Sequence, residues 1–125
     1  MSDPRKKILI VDDAGPVVVL CVNVLQALGY VVKGANNGEA ALTHLRREAF
    51  DLIVVDYKMS GMSGFQVLEQ ARELCPDIAS VLVTGHGTPE IMKEASKTSF
   101  DAILLKPFTS NELRTTVDQV FRSRV

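Results

Sequence analysis

The chain has 125 residues, 46% of them apolar and 23% charged, with a formal net charge of -1 at pH 7. This length suits one compact domain, and the balance of apolar to charged residues excludes a disordered or fibrous chain. Near-neutral charge with one basic run, Arg5-Lys6-Lys7, excludes the clustered cationic surface that phosphate-backbone binding needs, so no direct nucleic-acid contact is expected.

That basic run reads as the solvated flank of a first strand, Ile8 to Val11, which ends in Asp12-Asp13. Pro16 opens a helix that carries Cys21 and closes at Leu28-Gly29. A second strand spans Tyr30 to Lys33, and Asn37-Gly38-Glu39 then opens a helix with Ala41, Leu42 and Leu45 on one face and His44 on its surface. The third strand, Leu52 to Val55, runs into Asp56, and a third helix extends from Gly64 to Leu74, stopping before Cys75-Pro76. Ser80 to Val83 is a fourth strand ending at Thr84-Gly85, and a weakly apolar helix follows from Pro89 to about Lys97. The fifth strand, Ala102 to Leu105, ends at Lys106-Pro107. Thr109-Ser110-Asn111-Glu112 has capping-box spacing and opens a last helix expected to bury Leu113, Val117, Val120 and Phe121 at helical intervals.

Short β-branched runs alternating with helices predict an α/β three-layer sandwich around a doubly wound, five-stranded parallel sheet, in the flavodoxin-like order 2-1-3-4-5. Cys21 and Cys75 are too few for a disulfide framework and lack zinc-site spacing, so both read as free thiols. No stretch is long and apolar enough for a membrane span, and Met1 to Lys7 does not lead into a secretory segment. A soluble, cytoplasmic protein that does not bind membranes is expected.

In open parallel sheets ligands bind beyond the carboxyl ends of the strands, near the point where strand order reverses. Here those ends carry Asp12-Asp13, Asp56, Thr84 and Lys106. If strands one and three are neighbours, three carboxylates converge and repel one another unless a cation compensates them. Oxygen-only ligands suit a hard cation, and a few carboxylates with retained waters suit Mg2+. Lys106 adds fixed positive charge and Thr84 a hydroxyl, completing what is needed to stabilise charge on a phosphoryl group in transfer to an oxygen nucleophile. Asp56, at the centre of the sheet, is the candidate nucleophile.

The sequence resembles the receiver domains of two-component response regulators from Lys7 to Phe121, so that residues 1–125 read as one receiver domain. The matching segments are Ile8-Leu9-Ile10-Val11-Asp12-Asp13, Leu52-Ile53-Val54-Val55-Asp56, Met59 with Gly61-Met62-Ser63-Gly64, Val83-Thr84-Gly85 and Lys106-Pro107-Phe108. The resemblance implies that Asp56 is phosphorylated by a sensor histidine kinase or phosphotransfer protein, and that the domain is a signalling phosphoacceptor and not a turnover enzyme. It also implies that Asp13, Asp56 and the backbone carbonyl of Lys58 coordinate Mg2+, with Asp12 acting through a metal-bound water. Thr84 would bind a phosphoryl oxygen, Lys106 would pair with the phosphoryl group, and the Lys106-Pro107 bond would be cis. The face of helix four, strand five and helix five would meet an output domain or a second receiver.

The sequence departs from the family pattern at several positions. Ile103 stands where an aromatic residue usually moves together with the threonine, so the Thr84–Ile103 switch would be wired differently. Ser60 replaces a frequent proline, which predicts a more mobile loop before Gly61, and Ala14 removes a polar group from the rim. Lys58 and His86, two residues beyond Asp56 and Thr84, are placed to set the lifetime of a phosphorylated form. Met59 and Met62 read as loop packing. A flavin or nucleotide binder of similar fold would need a phosphate-cradling loop where this chain has acids, and an aspartate-nucleophile phosphatase would space its two acids differently. A phosphorylation-independent interaction module of receiver-like fold is the remaining alternative.

Overall fold

The computed structural model describes residues 5–85 and 87–124. Five strands alternate with five helices: β1 (Lys7–Val11), α1 (Gly15–Ala27), β2 (Val31–Ala35), α2 (Gly38–Arg47), β3 (Leu52–Asp56), α3 (Gly64–Leu74), β4 (Ala79–Thr84), α4 (Pro89–Thr98), β5 (Ala102–Leu105) and α5 (Ser110–Ser123). The strands form one sheet in the order β2-β1-β3-β4-β5, every neighbouring pair parallel. From β1 the chain moves out to β2 and returns on the far side of β1 to β3, so the order reverses between β1 and β3.

Side chains alternate across the pleat, and both faces are covered, which is why β3 and β4 are buried along their whole length. Ile8, Ile10, Leu52, Val54, Val81 and Leu104 point to one face, where Cys21 and Leu25 of α1 and Leu113, Val117 and Val120 of α5 cover them. Leu9, Val11, Ile53 and Val55 point to the other, against Ala41, Leu42 and Leu45 of α2 and Val67, Leu68 and Ala71 of α3. Both cysteines are free.

Capping chemistry marks the helix starts. The Asn37 side chain accepts from the Ala40 N–H, and Ser63 and Thr109 each form reciprocal capping boxes, with Gln66 and Glu112. α1 has Pro at its start and no side-chain cap. Two sequence expectations need correction. β2 runs to Ala35, beyond the expected end at Lys33, because Gly34 continues the ladder opposite Ile10. Glycine suits that position because a Cβ there would come within 2.5 Å of the Val18 side chain of α1. Phe121 is half-buried, its ring lying 5.5 Å from Tyr30 at the edge of the core. No described helix is long and apolar enough to cross a membrane.

Candidate functional site: an acidic cluster at the carboxyl edge of the sheet

The parallel arrangement brings the ends of β1, β3, β4 and β5 to one edge, and with them the residues singled out from sequence. Asp12 and Asp56 are buried, at 3% and 6% exposure, while Asp13 is exposed. One carboxylate oxygen from each of the three can lie within 4.8 Å of the others. Asp12 is fixed by its neighbours. Its N–H donates to the Ala35 carbonyl at 3.2 Å, and its Oδ1 accepts from the Ala14 N–H at 2.9 Å.

Lys106 Nζ lies 2.8 Å from Asp12 Oδ2 and 3.3 Å from Asp56 Oδ1. The lysine is therefore held by the acid of β1 as well as by the candidate nucleophile, a pairing the sequence reading did not single out. Burial, reinforced by Asp12 and Asp13, pushes the Asp56 carboxyl up to about 6 against the opposing pull of Lys106. Burial pulls the Lys106 ammonium down, but hydrogen bonding and charge from Asp12, then Asp56, outweigh it and hold the group above its ordinary value. Three acids against one lysine leave an excess of negative charge in a partly desolvated recess. An all-oxygen donor set of this kind fits a hard divalent cation, whose charge would offset both the burial and the neighbouring acids that raise Asp56.

Thr84 closes β4 and is buried, opposite Leu105 in the ladder, with Ile103 half-buried two residues back, opposite Leu82. The Lys58 side chain is exposed, and His86 lies outside the described residues. Met59 is buried and Met62 packs beside it in the core, as expected. The Lys106-Pro107 bond is cis.

Gly64 is a site residue whose function the sequence only hinted at. A Cβ there would sit 2.6 Å from the Asp56 carbonyl oxygen, and the Gly64 N–H donates to the Tyr57 carbonyl at 2.9 Å. The bare backbone lets α3 begin directly behind the candidate nucleophile, and the sequence signal for this was Gly64 within the Gly61-Met62-Ser63-Gly64 segment. A cleft of about 730 Å3 lies away from this chemistry and is lined by Lys6, Phe50, Asp51, Cys75, Phe121 and Arg124 among others. Two of its cations are engaged, Arg124 by Asp101 and Lys6 by the Phe121 ring.

Comparison with known proteins agrees with this geometry. Residues 8–118 match the family model of the response regulator receiver domain. The chain is 33% identical over 119 residues to the transcriptional regulatory protein ZraR of Escherichia coli, covering 95% of this chain but 27% of that relative. It is 32% identical over 118 residues to the chemotaxis protein CheY-3 of Vibrio cholerae, covering 92% of this chain and 91% of the relative. A CheY-like receiver domain structure from Methanospirillum hungatei superposes with a TM-score of 0.90 at 28% identity, covering 96% of each chain. The order of the sheet, the acids at its carboxyl edge and the match across nearly the whole chain agree, and the chain belongs to the family of response regulator receiver domains.

Proposed function

We propose that this chain is a phosphorylation-operated switch in which Asp56 is the phosphoacceptor. The reading is carried by the convergence of Asp12, Asp13 and Asp56 within 4.8 Å, with Lys106 bridging Asp12 and Asp56. In the transfer, an Asp56 carboxylate oxygen attacks the phosphorus of a phosphohistidine on a sensor histidine kinase or phosphotransfer protein. The P–O bond to Asp56 forms as the P–N bond breaks, and the imidazole leaves with the electron pair and takes a proton from water. Lys106 pairs with a phosphoryl oxygen and the Thr84 hydroxyl donates to another, offsetting the charge that develops. Asp13, Asp56 and the backbone carbonyl of Lys58, with Asp12 through water, would hold Mg2+, which supplies charge neutralisation of the phosphoryl oxygens when bound. Attack of water on the acyl phosphate returns Asp56 and inorganic phosphate, with Lys58 and His86 setting the rate.

The switched surface is the face of α4, β5 and α5. It presents Leu105, at 52% exposure, and a groove of about 470 Å3 lined by Ile103, Leu105, Glu112 and Thr116 among others, suited to an output domain or a second receiver. Such a switch would work in the cytoplasm.

The test is intact mass after incubation with acetyl phosphate, with and without Mg2+, for the native chain and Asp56→Asn. A Mg2+-dependent gain of one phosphoryl group that the variant loses is the expected result. No gain under any condition, with no binding of beryllofluoride, would instead favour a phosphorylation-independent interaction module.

A further inference from the structure

A switch needs a physical link between the group that changes charge and the surface that responds. Ile103 is aliphatic and β-branched, so it cannot join Thr84 to that surface by a hydrogen bond. A different link runs through rings. Tyr57 directly follows Asp56, and its N–H donates to the Val83 carbonyl at 2.7 Å, which ties it to the strand that carries Thr84. Its ring meets Phe65 of α3 edge-on with centroids 5.2 Å apart, and Phe65 meets Phe100 in the same way at 5.8 Å. Phe100 lies just beyond the end of α4 and packs against the core under α2 and α3.

The same end of α4 is gripped a second time. Arg72 of α3 donates from Nη1 to the Thr98 carbonyl at 2.5 Å and from Nη2 to the Ser99 carbonyl at 2.7 Å. These are carbonyls that a helix end leaves without intrahelical partners. Ser99 adopts the left-handed conformation, with φ of 62°, and turns the chain toward Phe100, whose N–H reaches back to the Ala95 carbonyl at 3.4 Å. Among the described residues of α4, Ala95 alone is buried. The helix is thus fastened to the body at its C-terminal end, through α3.

We infer that Tyr57, Phe65 and Phe100, together with the Arg72 clamp, form the joint through which a change at Asp56 repositions α4. The three residues are half-buried and their rings meet edge to face, so a shift of the Tyr57 backbone is passed to Phe65 and on to Phe100. Arg72 keeps the helix end on the same pivot while this happens. The inference rests on the phosphoacceptor reading and assigns the route by which that site is read out.

The experiment is hydrogen exchange of the backbone amides of residues 94–100, with and without Mg2+ and beryllofluoride, in the native chain, Phe65→Leu, Phe100→Leu, Phe100→Tyr and Arg72→Gln. Thermal melts establish that each variant is folded, and titration measures its affinity for beryllofluoride. The native chain should change its exchange on loading. The two leucine variants should bind beryllofluoride within about twofold of the native affinity and show a response about two- to tenfold smaller, the range that aromatic pairs span. Phe100→Tyr, which keeps a ring, should respond as the native chain does, and Arg72→Gln should exchange faster at Ser99 and Phe100 before loading. Native-sized responses in both leucine variants would overturn the joint. A native chain that binds beryllofluoride without any change over residues 94–100 would overturn it too and leave the phosphoacceptor reading intact. Failure of the native chain to bind beryllofluoride at all would bring down both.

Discussion

The Asp56 carboxyl makes the stability of the folded chain depend on pH. Its native value of about 6 lies above the ordinary 3.8, so between those pH values the folded chain holds a proton that the unfolded chain releases. Stability from this group is therefore greatest at and below the lower value and is lost as pH rises through the upper one, by at most about 3 kcal/mol. In buffer free of divalent cations, Asp56→Asn should be more stable than the native chain at pH 8 by about 1–3 kcal/mol, and the difference should vanish near pH 4. Urea melts at the two pH values check this, and a difference independent of pH would refute it. Glu48 acts in the opposite sense. Its hydrogen bond from Lys7 holds its carboxyl low, so its contribution is present above the ordinary glutamate value and is lost on acidification, equally in both proteins.

The reciprocal box of Thr109 and Glu112 fixes where α5 begins, four residues after Lys106. Thr109→Ala should cost about 0.5–2 kcal/mol in urea unfolding without altering phosphoryl uptake by more than a small factor. The start of α3 carries more, because it lies against the Asp56 backbone. Gly64→Ala would force its methyl onto the Asp56 carbonyl 2.6 Å away, shifting Asp56 or the helix. The expected outcome is a stability loss of about 1–3 kcal/mol together with slower uptake from acetyl phosphate. Gly15→Ala, where nothing lies within 4 Å, is the matched control and should leave uptake unchanged. Boundaries of this kind were legible at Asn37 and Thr109, where a capping side chain opens the helix. The end of β2 was not, because Gly34 reads locally as a strand breaker and is required only by Val18 arriving from α1.

Across the whole molecule, the acidic edge and the two cores are coupled by linkage. A cation that binds only the folded chain stabilises it by mass action, so Mg2+ at a hundredfold excess over its Kd should add about 2.7 kcal/mol. Titrating Mg2+ in thermal melts should raise the Tm of the native chain, and Asp13→Asn should shift the dependence to higher concentration. In the core, Ile53→Ala at a fully buried position between β1 and β4 should cost about 2–5 kcal/mol, measured by urea unfolding.

The sequence by itself determined the alternation of elements and the four strand ends that carry Asp12, Asp13, Asp56, Thr84 and Lys106. These depend on local periodicity and on adjacency in the chain, which residue types record directly. Only the tertiary structure decided that Lys106 lies closer to Asp12 than to Asp56, that Gly64 must be bare behind Asp56, and that Tyr57, Phe65, Arg72 and Phe100 meet at the end of α4. Those contacts join residues from separate elements. They follow from how α3 and α4 sit on the sheet, and no local pattern in the chain encodes that placement.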